Sequence, residues 1–317
     1  MKRPVMDSRR SQHGLSLVEL LISLVLGGLI IAAVGAVYLG SRRSFRTQDA
    51  MARMQEGARY AFETMAVDLR QVGFGCYQAP GATPDLVNWY TNVLKQPLRG
   101  YESGAGLPAS ITGEIADTDA LMVLRADKSR EVQITAAGTA AADGPFEVGG
   151  LALVTYDYSD ASQYAATAAA GVTYTLGVAE ACKTGVTNSA NNYLLPVAGH
   201  LYFIRDNAAG EPSLYRETLL ADGTTEAQEL VEGVEDMQIL YGEDTSGTVA
   251  FCPEDATRCS ADLYRPADEV VNWNRVVSMR VSLTMRTVAD NLATEESGGD
   301  RRIRKTFTTT IAVRNRL

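Results

Sequence analysis

The sequence is poor in histidine and lacks the common catalytic motifs. Its 317 residues include only two histidines, His13 and His200, and two tryptophans. It contains no Gly-x-Ser-x-Gly motif, no phosphate-binding loop and no dinucleotide-binding fingerprint. His200 lies in an apolar stretch, which favours a structural role over that of a general base. These absences predict a chain that is not an enzyme and needs no cofactor.

Patterns typical of metal and nucleic-acid binding are also missing. There is no Cys-x-x-Cys pair, and the two histidines offer no zinc site, so we expect no metal. The net charge is −9, and removal of residues 1–14, which carry +3, leaves the remainder at −12. Nucleic-acid binding favours a basic face, which this balance argues against. The one later basic run, residues 301–305, is interpreted as the solvated start of a strand.

Proline is absent from residues 15–72, which removes the commonest helix breaker from a long segment. Residues 15–39 are almost entirely apolar, and about twenty such residues span a bilayer as a helix. In residues 40–73 apolar side chains recur every three or four positions, which indicates one buried helix face. The sequence therefore predicts one continuous helix, with a transmembrane half followed by an amphipathic half. The repeating apolar residues are Met51, Met54, Ala58, Ala61, Phe62, Met65, Leu69 and Val72.

A basic leader, residues 1–14, precedes the apolar segment and ends in Gly14. Basic flanks remain in the cytoplasm, so the chain beyond residue 39 is expected in the periplasm. A secretory signal peptide is the alternative, with residues 32–36 as an Ala-x-Ala-like cleavage site. Its apolar core would be 7–15 residues long, and the present run is longer.

Glu19 is the only charged residue within residues 15–39. A carboxylate at the centre of a bilayer costs roughly 2.5–3.5 kcal/mol on insertion scales, so its presence suggests a function. The alternative is that Glu19 merely lies near the lipid headgroups at the start of the helix.

The run Gly14-Leu15-Ser16-Leu17-Val18-Glu19 resembles the prepilin signal of type IV pilins and type II secretion pseudopilins. The resemblance implies cleavage by prepilin peptidase between Gly14 and Leu15, methylation of the new N-terminus and retention of the helix. Leu15 departs from the usual phenylalanine. The resemblance also implies that Glu19 pairs with the terminal amine of a neighbouring subunit, since a charge pair is less costly in low dielectric than two separate charges.

Strand patterns dominate residues 74–317, so the predicted fold class is α+β, a long N-terminal helix packed on an antiparallel β-sheet domain. The turn signal at 206–212 predicts a hairpin. Residues 136–196, rich in Ala, Gly, Thr and Tyr, are expected to be an insert of irregular strands and loops. The predicted strands are 120–125, 151–156, 199–204, 213–217, 236–241, 276–286 and 305–314.

All four cysteines follow the apolar segment, where the oxidising periplasm would allow disulfides. Four cysteines allow three pairings. We favour Cys252–Cys259, which closes a short local loop, and Cys76–Cys182, which would link the insert to the end of the helix.

Further segments of the sequence resemble one particular group of pilins. Residues 54–61, 68–76, 230–242 and 311–317 resemble the minor pilins called PilW. This implies a minor pilin of a bacterial type IV pilus, held in the inner membrane and then in the pilus tip, that initiates assembly and supports adhesion or twitching. The implied partners are other minor pilins and the major pilin through the N-terminal helix, prepilin peptidase, the inner-membrane assembly platform and a tip adhesin.

Two alternatives stay open at this point. Residues 231–241 also resemble a minor pseudopilin of type II secretion. A membrane-anchored surface-binding module, with residues 136–196 as its contact surface, is an alternative of another class.

Overall fold

The computed structural model describes residues 16–72, 97–108, 111–126, 132–133, 139–141, 151–156, 160–170, 173–180, 193–219, 225–246, 260–290, 292 and 300–313. Residue contacts divide the chain into two units, Met1–Ala50 and Met51–Leu317, which are described separately.

A single helix, α1, runs from Leu17 to Gln71 and contributes to both units. This confirms the predicted continuous helix, which the absence of proline permits. In the first unit the side chains of residues 20–39 are almost all apolar and exposed. In the second unit one face is buried, as the three- and four-residue spacing predicted. The buried side chains of that face include Met54, Ala58, Ala61, Met65 and Leu69.

Fourteen strands follow in the part of the chain that the structure describes. They are β1 (Leu98–Tyr101), β2 (Ala120–Ala126), β3 (Val132–Gln133), β4 (Thr139–Ala141), β5 (Leu151–Tyr156), β6 (Asp160–Ala170), β7 (Thr173–Glu180), β8 (Tyr193–Asp206), β9 (Pro212–Leu219), β10 (Thr225–Glu232), β11 (Val234–Glu243), β12 (Leu263–Arg265), β13 (Val276–Arg286) and β14 (Arg304–Ala312).

The strands form two antiparallel sheets, which confirms the predicted α+β fold class. The larger has ten strands in the order β1-β2-β8-β5-β6-β7-β4, with β3 and β9 also pairing with β8, and β10 pairing with β9. The smaller has four strands in the order β12-β11-β13-β14. The predicted hairpin is present, since β8 ends at Asp206 and β9 begins at Pro212.

Residues 136–196 contain β4 to β7 and the start of β8. The pairing of β6 with β7 shifts register between Gln163 and Tyr164 and again between Ala166 and Ala168, so irregular strands are present as expected. β5 pairs with both β6 and β8, so the segment is continuous with the ten-stranded sheet. Its alanines and threonines give no clean apolar alternation, although a strand needs only backbone partners to pair.

The buried face of α1 joins one hydrophobic core with side chains from both sheets. The ten-stranded sheet contributes Leu121, Val123 and Ile204, among others. β11 and β13 contribute alternate residues, as a half-buried strand requires. These are Met237, Ile239 and Tyr241 from β11, and Val281, Leu283 and Met285 from β13.

Candidate functional site

The first half of α1 exposes apolar side chains, which is unfavourable in water. Leu17, Ile31 and Val37 are more than 70 % exposed, and neighbouring apolar side chains are exposed all round the helix. A helix that is hydrophobic on every side belongs in a membrane or in the core of an assembly. By length and composition, α1 is the one helix in the described residues that could cross a membrane.

Glu19 lies in the first turn of α1, and its side chain is exposed. A carboxylate is favourable at a helix N-terminus, because the unpaired N–H groups there carry partial positive charge. The Ser23 hydroxyl donates to the backbone oxygen of Glu19 at 2.7 Å, which leaves the carboxylate available. Glu19 is therefore placed where a cation outside this helix can reach it.

Gly14 and Leu15, the predicted cleavage position, lie outside the described residues, as do the four disulfide candidates Cys76, Cys182, Cys252 and Cys259.

At the other end of α1, a buried carboxylate joins the helix to the ten-stranded sheet. Asp68 is 3 % exposed and accepts hydrogen bonds from the hydroxyl of Tyr202 at 2.5 Å and from Nε of Arg125 at 3.1 Å. Nδ1 of His200 contacts the same carboxylate. Arg125 also donates to the side-chain oxygen of Gln71 at 3.0 Å, so two residues of α1 are held by the sheet.

The electrostatics of this cluster favour an ionised Asp68. Burial raises the pKa of its carboxyl, but the hydrogen bond and charge of His200, the Tyr202 hydroxyl and the charge of Arg125 outweigh burial and lower it overall. Burial and the neighbouring Asp68 raise the pKa of Tyr202, which keeps its hydroxyl protonated as a donor. The cluster is satisfied internally and serves to fix the helix to the sheet.

Sequence reasoning identified His200 as structural but missed its partner Asp68. The available signal was the position of Asp68 on the apolar face of the helix, three residues after Met65 and next to Leu69. Buried carboxylates are normally paired, so an acidic residue on that face predicts a basic or hydroxyl partner in the sheet.

The basic run 301–305 differs in part from its prediction, since Arg301 and Lys305 are exposed as expected but the other two basic residues are not. Arg302 and Arg304 are 16 % and 24 % exposed and paired, rather than solvated. Arg302 and Arg286 both donate to Glu211, the latter at 2.8 Å, and Nε of Arg304 donates to Glu235 at 2.7 Å. Glu211 precedes β9 of the ten-stranded sheet, so its pairs with Arg286 and Arg302 connect the two sheets. The pair between Arg304 and Glu235 joins β14 to β11 within the four-stranded sheet.

Two family models match the chain. The prokaryotic N-terminal methylation motif matches residues 9–35, and the model of type IV pilus-assembly protein W, PilW, matches residues 201–315. Together the two matches are those expected of a PilW-type type IV pilin with a prepilin signal. The first match contains Gly14, Leu15 and Glu19, while the second begins in β8 and extends past β14. Neither a curated protein nor a solved structure matches the chain.

The two matches fit one location in the cell. The apolar part of α1 fits an anchor in the inner membrane and the pilus, followed by a periplasmic domain. The PilW match supports a type IV pilus minor pilin, a kind of structural subunit that interacts with other pilus components. Among the described residues no group of His, Cys, Asp or Glu side chains is arranged to hold a metal ion.

Proposed function

We propose that this minor pilin belongs to the priming complex that initiates pilus assembly and later stands at the pilus tip, where it supports adhesion or twitching. The observation that carries the proposal is the exposed apolar helix with Glu19 in its first turn, directly after a methylation motif. Such a helix needs an apolar partner surface on all sides. Other pilins, whose N-terminal helices are also apolar, provide that surface.

The mechanism begins with cleavage between Gly14 and Leu15 by prepilin peptidase. The helix stays in the membrane, and the carboxylate of Glu19 forms an ion pair with the terminal amine of a neighbouring minor or major pilin. The attraction between two such charges grows as the dielectric constant falls, so the pair sets which subunits align and at what height. The assembly platform then moves the bundle out of the membrane, and a tip adhesin is the further partner.

We also propose that disulfides Cys252–Cys259 and Cys76–Cys182 form in the periplasm. On the chain-entropy model, even a short closed loop stabilises a fold by about 2–3 kcal/mol. Mass mapping under non-reducing conditions would give both linked peptide pairs, and four free thiols would contradict the pairing.

Glu19→Ala tests the central pairing. It removes the carboxylate and leaves a helix that is more apolar, so we expect normal insertion and cleavage but at least a tenfold loss of surface pili. Ser23→Ala, one turn further along the same helix, is the matched control and should assemble normally. Immunoblots report cleavage, and electron microscopy counts the pili. Normal pili in the Glu19→Ala strain would exclude the pairing role.

A further inference from the structure

β14 forms a long, regular edge of the four-stranded sheet. Its nine residues pair with β13 in continuous register, without a bulge. No described strand pairs with its outer side. Residues 306–312 contain no charge, proline or glycine. This part of β14 therefore lacks the features by which proteins usually prevent an exposed edge from pairing with another chain.

The other exposed edges among the described strands do have such features. β12, at the opposite edge of the same sheet, has three residues and is followed by Pro266. β10 bears Glu226, Glu229 and Glu232, and its register shifts between Glu229 and Val231. β1 and β4 have only four and three residues. The unprotected edge of β14 is thus an exception among the strands that the structure describes.

The backbone groups of β14 that face outward can be identified from its register. The N–H of Val313 donates to the oxygen of Val277 at 2.9 Å, which makes these residues a hydrogen-bonded pair. Hydrogen-bonded pairs alternate along an antiparallel ladder. Residues 305, 307, 309 and 311 therefore bond to β13, while Thr306, Thr308, Thr310 and Ala312 direct N–H and C=O groups away from the sheet. These four residues are exposed.

A groove of about 530 Å³ lies between this edge and α1, within the second unit. Phe62 and Ala66 of the helix and Ile311 of β14 provide its apolar lining. Side chains of an added strand would alternate between the two faces of the sheet. Every second side chain of that strand would cover the apolar lining, so it would gain burial as well as backbone hydrogen bonds.

The charges in the groove indicate which charge an added strand should carry. Arg59 is paired with Glu56 at 2.5 Å and with Glu63 at 3.4 Å. Arg70 also lines the groove and forms no ion pair within the part of the chain that the structure describes. A carboxylate on the incoming strand would complement it. β14 of a second copy would instead bring Arg304 and Lys305 and no acid, which places like charges together.

We propose that β14 accepts an extended, acidic segment of another pilus subunit as a fifth strand of the sheet, with a carboxylate against Arg70. The inference rests on the proposed function, because it takes the partner from the same pilus. It adds a second contact, in the periplasmic domain, to the helix contact made through Glu19.

Photo-crosslinking in piliated cells tests where the segment binds. A photo-crosslinking amino acid is placed at Thr310, on the outward edge, or at Val288, which is exposed but lies beyond the end of β13. We expect a cross-link at Thr310 to an acidic segment of another pilus subunit, identified by peptide mass spectrometry, and at least tenfold less at Val288. A Thr310 cross-link only to a second copy, or none, overturns the proposal.

Two further variants, each combined with the Thr310 probe, test the mode of binding. Thr308→Pro removes an outward N–H and leaves the β13 ladder intact, since edge strands tolerate proline at such positions. It should reduce the cross-link at least tenfold, whereas Thr308→Ala should not. Arg70→Glu, which leaves the strand unchanged, should reduce it at least fivefold by like-charge repulsion. An unchanged cross-link in both Thr308→Pro and Arg70→Glu overturns strand addition.

The same strains separate this inference from the proposed function. Sheared pili are probed for the chain in each. If the wild-type chain is present in pili but the Thr310 cross-link is absent, only the docking proposal fails. If the wild-type chain is absent from pili, the pilus role fails, and the partner proposed here fails with it.

Discussion

At the scale of single residues, Asp68 is the one polar side chain among the buried residues of α1. It binds three side chains of the sheet, so its removal leaves Arg125, His200 and Tyr202 without their shared acceptor. Breaking a buried charge pair on one side typically costs about 3–5 kcal/mol. The fixed position of the amphipathic half of α1 therefore depends strongly on this carboxylate.

Asp68→Ala should lower the free energy of unfolding of the periplasmic domain by about 3–5 kcal/mol, measured by urea unfolding of the full chain in detergent. Glu63→Ala is the control on the exposed face of the same helix. It removes only the 3.4 Å pair with Arg59, and such an exposed pair contributes little to stability. Equal effects of the two substitutions would show that Asp68 does not anchor the helix.

The lowered pKa of Asp68 gives this contribution a pH dependence. A carboxyl whose folded-state pKa lies below its unfolded value of about 3.9 stabilises the fold above that value. The stabilisation is lost as the pH falls through the lower, folded-state pKa. The difference in urea midpoint between wild type and Asp68→Asn should therefore shrink as the pH falls below about 4. A difference that stays undiminished far below pH 4 would contradict the ionised state.

At the scale of elements, Gly233 connects β10 in one sheet to β11 in the other. Its φ is +81°, and an added Cβ would lie 2.6 Å from the backbone oxygen of Arg286. The N–H of Arg286 also donates to the oxygen of Gly233 at 2.7 Å, so the two backbones cannot separate without losing that bond. The link between the sheets therefore needs glycine, because of the positive φ and because of the close approach of the Arg286 backbone.

Gly233→Ala should therefore destabilise the domain by more than the roughly 1–2 kcal/mol that a left-handed conformation costs an L-residue. Gly210→Ala is the matched control, with a φ of +76° and open space around its Cβ. The measurement is the thermal midpoint of each variant relative to wild type. A larger loss for Gly210→Ala than for Gly233→Ala would contradict the close approach at Arg286.

Elements with strong periodicity were predictable from the sequence. β5 and β13 have the predicted bounds, and α1 agrees with the prediction to within a few residues. The spacing of apolar residues along the chain is enough to predict such elements. The order of strands in the sheets was not predictable, because β14 becomes an edge only through pairings between distant residues. The contact between Asp68 and His200, 132 residues apart, was missed for the same reason.

At the scale of the whole molecule, the chain combines a helix made for an apolar environment with an acidic periplasmic domain. The signal at residues 9–35 and the PilW match at residues 201–315 support its assignment as a pilin. The proposed cleavage after Gly14 sets the position of Glu19 relative to the mature N-terminus. Both proposed contacts between subunits, at Glu19 and at β14, depend on the chain entering the pilus.

Gly14→Val should block processing, because a branched side chain replaces the smallest residue at the proposed cleavage position. The variant should accumulate in the inner membrane with its leader attached and be absent from sheared pili. Immunoblots of membranes and pili measure both, with Ser8→Val, within the leader but away from the cut, as the control. Assembly of the uncleaved Gly14→Val chain into pili would show that processing is not required.

The N-terminus of the chain recovered from sheared pili, read by intact-protein and peptide mass spectrometry, shows whether the helix is processed as a prepilin. We expect a chain that begins at N-methylated Leu15 and retains the whole of α1. A chain that begins at Met1, or one shortened after residues 32–36 as by a secretory signal peptidase, would contradict this expectation.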